Sequence, residues 1–293
     1  MQEENGIDSD ESRNVFLDHW NWQLSFFEEH LTNLRVRDFE EQHGDDETIR
    51  DLYYATKGVD GDSNAGCENT ERVYTISLES DEYRDIRMTY MHCSDLQTFR
   101  CLSYPRNGDI PVMGMSMIRM RGGRNLAIMD YQPLPPSDET ESKINDAYTA
   151  ALLELRSEIP AMSAPITHRN FAKTEDREYF TEFPLLGRCN DPEATDAEKA
   201  AYRETVRDAQ RKHVSRHTEL TRRFGRPADP SKLSEEYVLE RHSDFDTNVS
   251  VREPAGGVLR KVFGKEKGER IFHNVIFPLS KHGLYGESAA ASS

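Results

Sequence analysis

The apolar residues near the start of the chain recur with a helical period. Within residues 14–34 they stand alternately three and four positions apart, at Leu17, Trp20, Leu24, Phe27, Leu31 and Leu34. That spacing puts them on one face of a helix and leaves the opposite face polar. We therefore predict an amphipathic helix here, packed by its apolar face on a sheet.

Extended segments follow a glycine- and acid-rich loop at 58–70. Three strand candidates come first: RVYTISLE, IRMTYMHC and LQTFRCLSYP. A hairpin comes next, with the arms IPVMGMSMIRM and LAIMDYQPL joined by RGGRN, whose glycines supply the positive φ of a tight turn. Five sequential strands with short connections favour an antiparallel meander.

The pattern becomes helical after PLPPSDE. Residues 141–156 form one predicted helix, and residues 195–223 form a long one that begins with a capping box of Thr195 and Glu198. Two shorter helical stretches surround REPAGG near the end of the chain. Because no linker separates two cores, we predict a single α+β domain over 1–293, with residues 1–13 as a disordered acidic tail.

Composition narrows the class of protein. Of the 293 residues, 36% are apolar and 31% are charged, which is typical of a globular protein with a sizeable core. No apolar run approaches the roughly 20 residues of a membrane helix, and the first residues do not resemble a targeting peptide. The four cysteines lack zinc-binding spacing and no H-E-x-x-H occurs, so we expect reduced thiols, no metal and no membrane.

Charge is distributed unevenly along the chain. The net charge is −16, which disfavours nucleic acid as a partner. Residues 1–62 carry five basic and seventeen acidic side chains, a local charge of −12, whereas residues 257–270 carry five basic and two acidic ones, a local charge of +3. We call 257–270 the basic segment and expect an acidic partner to dock on Arg260, Lys261, Lys265, Lys267 and Arg270, extended by Arg119, Arg121 and Arg124. A solvated surface is the alternative.

The hairpin is unusual for its methionines. RGGRN lacks both phosphate-binding glycine patterns and joins two strands, so we interpret it as a turn. Strand alternation puts Met113, Met115 and Met117 on one face and Gly114 and Ser116 on the other. The methionines suit either an ordinary core or a soft, polarizable wall for a large flat ligand, with room left at Gly114. In the second case Ser116 points into the pocket.

Several segments together resemble one family. The hairpin, the strand FRCLSYPR before it, and the later segments FPLLG, EPAGGVLRKVFG and VIFPL resemble, in this order, the ferredoxin-dependent bilin reductases, and the matches extend from about residue 84 to 279. The resemblance implies a three-layer α/β/α sandwich with a central antiparallel sheet. It also implies that a linear tetrapyrrole is held between the sheet and the C-terminal helices, the half to which the last three segments are assigned.

The resemblance further implies the chemistry. Members of the family reduce biliverdin or a partly reduced bilin with electrons from a [2Fe–2S] ferredoxin, and they bind no cofactor of their own. The conjugated bilin holds the unpaired electron, so the protein must position the substrate and deliver protons. A carboxyl group in a low-dielectric pocket has a raised pKa and donates a proton near neutral pH.

By alignment, the two aspartates of the family fall on Ser116 and Glu253. A serine is a poor acid, so we expect Ser116 only to relay a proton or hold a water, and we expect Glu253 to be the donor. A charge at a helix N-terminus, before Pro254, is the alternative for Glu253. Asp109 and Asp95 are alternative acids nearby in sequence, although a turn and a loop also account for them.

The other expected substrate contacts are Thr89, Arg100, Met113, Met115, Gly114 and Arg252. Thr89 and Arg100 stand where the phycocyanobilin-forming branch has a glutamate and a histidine. The resemblance therefore favours the branches that make dihydrobiliverdin, phycoerythrobilin or phytochromobilin. Arg100 either holds a propionate in a bidentate contact or makes a surface salt bridge.

The resemblance thus implies a reductase that converts biliverdin IXα or 15,16-dihydrobiliverdin towards phycoerythrobilin or a related phytobilin. Because Ser116 replaces an acid, a bilin-binding protein without reductase activity is the alternative. The expected partners are the bilin, reduced ferredoxin, and a phycobiliprotein lyase or a second bilin reductase that takes the product. We expect a monomer, in the plastid stroma of a eukaryote or otherwise in the cytoplasm.

Overall fold

The computed structural model describes residues 15–37, 56–58, 70–93, 96–135, 138–164, 179–251, 253 and 255–282. The strands among them are β1 Arg35–Val36, β2 Thr56–Gly58, β3 Thr70–Glu79, β4 Tyr83–Cys93, β5 Leu96–Pro105, β6 Val112–Met120, β7 Arg124–Gln132 and β8 Leu185–Asn190. The α-helices are α1 Leu17–His30, α2 Glu139–Glu158, α3 Asp196–Phe224, α4 Glu235–Ser250, α5 Ala255–Phe263 and α6 Lys265–Ile271. A π-helical turn, Phe272–Ile276, continues α6, and short 3₁₀ turns lie at Pro160–Met162 and Pro230–Leu233.

The strands form one antiparallel sheet in the order β1-β3-β4-β5-β6-β7-β8, and β2 also pairs with β3. The predicted meander is confirmed as β3 to β7, which are consecutive in the chain and in the sheet. The predicted turn at RGGRN is also confirmed, because Gly122 and Gly123 have φ angles of 81° and 78°. The assignment of FPLLG to the helical half is wrong, because its last residues begin β8, which pairs with β7.

Hydrophobic clusters cover both faces of the sheet. One cluster joins Trp20 and Phe27 of α1 with side chains of α2, α3 and one face of the strands. The other joins Phe245 of α4 and Leu259 of α5 with side chains of α6 and the opposite face of the strands. We call this second side the C-terminal face. The expected three-layer α/β/α sandwich is confirmed by these two layers of helices.

The two helices after the meander begin with capping boxes. At α3 the Thr195 side chain accepts from the Glu198 amide while the Glu198 side chain accepts from the Thr195 amide, as the sequence predicts. Asp138 and Glu141 make the same pair of contacts at α2. These caps satisfy amide groups that an α-helix otherwise leaves without partners, so they fix where the helices begin. In the described part of the chain, no helix has the length and apolarity that a bilayer crossing requires.

Candidate functional site

Three residues expected from the sequence form one row across the C-terminal face of the sheet. Thr89 of β4 lies directly opposite Arg100 of β5, and Arg100 lies directly opposite Ser116 of β6. Thr75 of β3 extends the row, with its hydroxyl oxygen 3.1 Å from that of Thr89. Side chains paired in this way on antiparallel strands have Cβ atoms about 5 Å apart, so the row is continuous. We call it the polar row.

An ion pair connects the polar row to the helices above it. Arg100 Nη1 lies 2.6 Å from Glu253 Oε2. Glu253 lies between the end of α4 and the start of α5, so the pair joins the sheet to the C-terminal layer. The two side chains are 12% and 23% exposed, and the Arg100 guanidinium stands 4.8 Å from the centre of the Phe277 ring. Two of the expected site residues are therefore in direct contact.

One hydrogen-bond donor of Arg100 has no partner among the described residues. Its Nε is buried and makes no hydrogen bond to any described residue. The other carboxylate oxygen of Glu253 accepts from the backbone N–H of Ala255 at 3.4 Å. Buried donors are normally paired, so this Nε marks a position at which an acceptor of a ligand fits.

Met113 and Met115 lie on the other face of β6. They are 0% and 2% exposed and belong to the hydrophobic cluster that α1, α2 and α3 cover. Because side chains alternate along a strand, a β6 that presents Ser116 to the C-terminal layer turns these methionines away from it. The prediction that they contact a substrate between the sheet and the C-terminal helices is wrong, and they form ordinary core.

Gly114 lies on the C-terminal face beside Ser116, but the space above it is filled. A Cβ atom on Gly114 would overlap Oε1 of Gln132, whose side chain reaches from β7 across to β6. The expectation that Gly114 leaves room for a ligand is therefore corrected. A side chain at position 114 would therefore require the flexible Gln132 amide to move.

Asp109 lies far from the polar row. Its carboxylate accepts a 2.6 Å hydrogen bond from Tyr237 in the first turn of α4, Lys232 Nζ lies 3.4 Å away, and burial raises the pKa of Asp109. Glu253 follows the opposite end of α4, and the 16 residues of this helix span about 24 Å. Asp109 therefore joins α4 to the β5–β6 connection and does not share a site with Glu253.

Two expected site residues lie outside the described residues. These are Asp95, between β4 and β5, and Arg252, beside Glu253.

The C-terminal face also carries buried charges that the sequence does not reveal. Arg87 Nη2 donates to the Asp85 carboxylate, and Arg87 Nη1 donates to the Ile276 carbonyl at 3.2 Å. Burial opposes the charge on Asp85, but the guanidinium groups of Arg87, Arg84 and Arg37 outweigh it and lower the pKa of this carboxyl. The network fixes the π-helical turn, and with it the neighbourhood of the ion pair, to the sheet.

Two further buried carboxyls on this face have raised pKa values. Tyr104 donates a 2.6 Å hydrogen bond to Asp246, and burial raises the pKa of Asp246 to about 6. Asp130 accepts from the backbone N–H and hydroxyl of Thr181 at 3.0 Å and 2.5 Å, and burial raises its pKa to about 6 as well. Asp246 is not among the site residues predicted from the sequence. It could have been recognised as an acid within the apolar stripe of α4, three residues before Val249.

A cleft of about 690 Å³ opens beside Glu253. Its walls come from the end of α4, from α5 and α6, and from the segment after α6, and they include Arg260, Lys265 and Arg270. Guanidinium and ammonium groups bind carboxylates and phosphates through charge-assisted hydrogen bonds, so the cleft suits an anionic ligand. Within the described ranges, no group of histidine, cysteine, aspartate and glutamate side chains is arranged to hold a metal ion.

The fold and the site together define a class of protein. An antiparallel sheet between two helical layers presents a polar row, which includes the Arg100 guanidinium, to the Glu253 carboxyl of the C-terminal layer, next to a cleft with basic walls. Such a site suits an acid–base enzyme that acts on a large anionic ligand. The chain belongs to the ferredoxin-dependent bilin reductases, because the model of that family matches residues 59–278. It is a bilin oxidoreductase that takes its electrons from ferredoxin, as the sequence predicts.

The names of similar proteins are consistent with this family. A protein of Nostoc punctiforme named 15,16-dihydrobiliverdin:ferredoxin oxidoreductase is 26% identical over 211 residues, which make up 71% of this chain and 80% of that protein. A protein of the same name from Gloeobacter violaceus is 26% identical over 210 residues, 70% of this chain and 76% of that protein. Tomato phytochromobilin synthase, solved in complex with biliverdin, superposes with a TM-score of 0.62 over 90% of this chain and 83% of that one. At 16% identity this similarity shows the fold alone.

Proposed function

We propose that the enzyme reduces biliverdin IXα or 15,16-dihydrobiliverdin towards phycoerythrobilin or a related phytobilin. The observation that carries the proposal is the ion pair between Arg100 and Glu253, in which a carboxyl of the C-terminal layer faces the polar row. Saturating one double bond of the substrate takes two electrons and two protons. Ferredoxin supplies the electrons singly, so the side chains of this protein supply protons and hold the bilin in position. The names of the relatives support 15,16-dihydrobiliverdin as the substrate or the product.

Glu253 is the proton donor in this proposal. In the free enzyme its carboxylate is held by Arg100 at 2.6 Å. A bilin carries two propionates, and one of them replaces Glu253 on the guanidinium when the substrate binds. The released carboxyl takes up a proton and passes it to the tetrapyrrole that now covers it. Ser116 orders a water or relays a proton, and Thr89 contacts the substrate from the same row.

The basic walls of the cleft serve the other propionate. Arg260, Lys265 and Arg270 lie beside Glu253, so an anionic substrate that reaches Arg100 extends towards them. Arg252 is a further proposed contact of the substrate, and this assignment rests only on its position in the sequence.

Ferredoxin docks on the outer side of the basic segment. Lys261 is exposed at the surface of α5, where it attracts an acidic partner, whereas Arg260 already pairs with Glu269 at 2.8 Å. Arg119 is less suited to this role, because it already pairs with Asp191 at 3.5 Å.

The remaining expectations belong to the same proposal. The enzyme works as a monomer with no cofactor of its own and passes its product to a phycobiliprotein lyase or a second bilin reductase. Its place is the compartment that holds reduced ferredoxin, which is the plastid stroma in a eukaryote and the cytoplasm in a bacterium.

Anaerobic turnover tests the proposed function. The protein is incubated with reduced ferredoxin and either biliverdin IXα or 15,16-dihydrobiliverdin, and the products are separated by chromatography. We expect at least one of the two bilins to be consumed and a more reduced bilin to appear. Spectral changes on binding without turnover of either bilin would contradict the proposal and favour a bilin-binding protein, the alternative that Ser116 motivates.

A further inference from the structure

Gln132 presents, on the C-terminal face, a hydrogen-bond acceptor that has no partner in the described part of the chain. The residue is 4% exposed, and its Oε1 is buried and makes no hydrogen bond to any residue that the structure describes. The amide extends over Gly114, where a Cβ atom would overlap this oxygen. Gly114 stands two residues before Ser116 on the same face of β6, so the orphan oxygen lies next to the polar row.

An unpaired buried carbonyl is unfavourable for the folded protein on its own. Buried polar atoms are nearly always paired, because an acceptor that loses water and gains no donor raises the free energy of the folded state. A methionine at position 132 would fill a similar volume without this cost. The polar side chain is therefore explained by a donor that reaches it in the working enzyme.

The neighbouring orphan atom has the opposite hydrogen-bonding character. Arg100 Nε is a buried donor without a partner among the described residues. Arg100 pairs with Ser116, and Gly114 pairs with the residue two positions after Arg100, so Arg100 and Gly114 are diagonal neighbours in the sheet. Diagonal neighbours lie about 7–8 Å apart, and the Gln132 amide lies over Gly114, at one end of this diagonal. A donor and an acceptor thus face one region of the substrate side.

We propose that Gln132 is a substrate-binding residue whose amide oxygen accepts a hydrogen bond from the N–H of a terminal lactam ring of the bilin. A lactam carries an N–H donor and a C=O acceptor on one ring, which complements an amide oxygen and the Arg100 Nε. The inference rests on the proposed function and adds a determinant of specificity to it. A lactam bound at the Gln132 amide fixes which end of the tetrapyrrole lies beside Ser116 and Glu253, and hence which double bond receives the protons.

The substitution Gln132→Met removes the acceptor while keeping the volume. Its matched control is Gln210→Met on α3, because Gln210 is 1% exposed but fully paired on the opposite side of the sheet. Gln210 Oε1 lies 2.6 Å from His19 Nδ1, and Nε2 donates to the His19 carbonyl at 3.0 Å and to Gln23 at 2.9 Å. Binding is measured by absorbance titration with biliverdin IXα and with 15,16-dihydrobiliverdin in the absence of ferredoxin. Stability is measured by urea denaturation of the free proteins.

The two substitutions should change different properties, namely bilin affinity for Gln132→Met and stability for Gln210→Met. We expect Gln132→Met to weaken bilin binding about fivefold to tenfold, as for loss of one buried hydrogen bond, and to unfold at the same urea concentration as the wild type or a higher one. Gln210→Met should unfold at a lower concentration and bind the bilin with unchanged affinity. A third variant, Gly114→Ala, keeps Gln132 but displaces its flexible amide, so it should fold and lose affinity in the same way.

Each result supports or overturns the inference. Unchanged affinity in Gln132→Met or Gly114→Ala overturns it while leaving the proposed function intact. Destabilisation of Gln132→Met as large as that of Gln210→Met also overturns it, because the amide would then be paired within the protein. A wild-type protein that binds neither bilin overturns the proposed function and this inference with it.

Discussion

At the scale of single residues, the Glu253 carboxylate is held by an ion pair with Arg100. Its Oε2 is bound to Arg100 at 2.6 Å, and its other oxygen is near the Ala255 backbone N–H. In the proposed mechanism the carboxyl turns towards the substrate when the contact with Arg100 opens. A propionate is chemically equivalent to the Glu253 side chain as a ligand of guanidinium, so the substrate itself carries the group that opens it.

This exchange predicts an unusual effect of Glu253→Gln on binding. A neutral amide competes less well for Arg100 than a carboxylate does, so we expect bilin affinity to rise roughly threefold or more, measured by absorbance titration. Arg100→Gln should lower the affinity. In the Arg100→Gln background, Glu253→Gln should bring no gain, because the group for which the two carboxylates compete is gone. An equal gain in both backgrounds would mean that Glu253 acts only through its charge on the whole cleft.

At the scale of secondary-structure elements, the strand pattern predicted the residues that share a face but not the layer they meet. Alternation along β6 separates Ser116 from Met113 correctly, yet the sequence does not say which helices cover each side. The structure places Ser116 beneath the C-terminal helices, and this leaves the methionines in the core under α1–α3. The Gln132 side chain can lie over Gly114 only because glycine has no Cβ atom. This contact joins two strands, so no pattern within one segment of the sequence predicts it.

The packing of α3 predicts a pH dependence of stability. His213 is fully buried, and its ring stacks 4.4 Å from that of Tyr131. Burial and the neighbouring His217 lower the pKa of His213 well below its usual value. The unfolded chain therefore binds a proton near pH 6.5 that the folded protein does not bind, so stability is lost as the pH falls below that value.

His213→Phe should remove this contribution while keeping the stacking on Tyr131. We expect the variant to gain about 1 kcal/mol of unfolding free energy relative to the wild type when the pH is lowered from 7.5 to 5.5, measured by urea denaturation at both values. Parallel pH dependences in the two proteins would show that His213 takes up its proton in the folded state.

At the scale of the whole molecule, the net charge is negative whereas the proposed docking surface is positively charged. The chain carries −16 overall, whereas residues 257–270 carry +3. Association is steered by the potential of the facing surface, so an acidic ferredoxin can still be attracted to α5 and α6. Exposed charges are screened over about 10 Å at 0.1 M salt, and turnover at limiting ferredoxin should therefore fall as salt is added.

A charge reversal on this surface tests the docking side. Lys261→Glu should raise the KM for ferredoxin severalfold and leave bilin affinity unchanged, because Lys261 is exposed on α5 and does not line the cleft. Lys143→Glu is the matched control, since Lys143 is 72% exposed on α2 in the opposite helical layer. Equal effects of the two substitutions would indicate a general response to net charge and contradict docking on the basic segment.

The most direct test of the account is anaerobic turnover by Glu253→Gln. The substitution keeps the size of the side chain and removes the acid, and general acid catalysis is worth about 10²–10⁴-fold, so we expect the bilin to bind and its reduction to slow by at least about 10²-fold. A one-electron-reduced bilin should accumulate, seen by absorbance and electron paramagnetic resonance, because electrons still arrive from ferredoxin. Glu269→Gln, which changes another acid of the same cleft, should react at a rate near that of the wild type. Near-normal product formation by Glu253→Gln would contradict the account and assign the proton to another group.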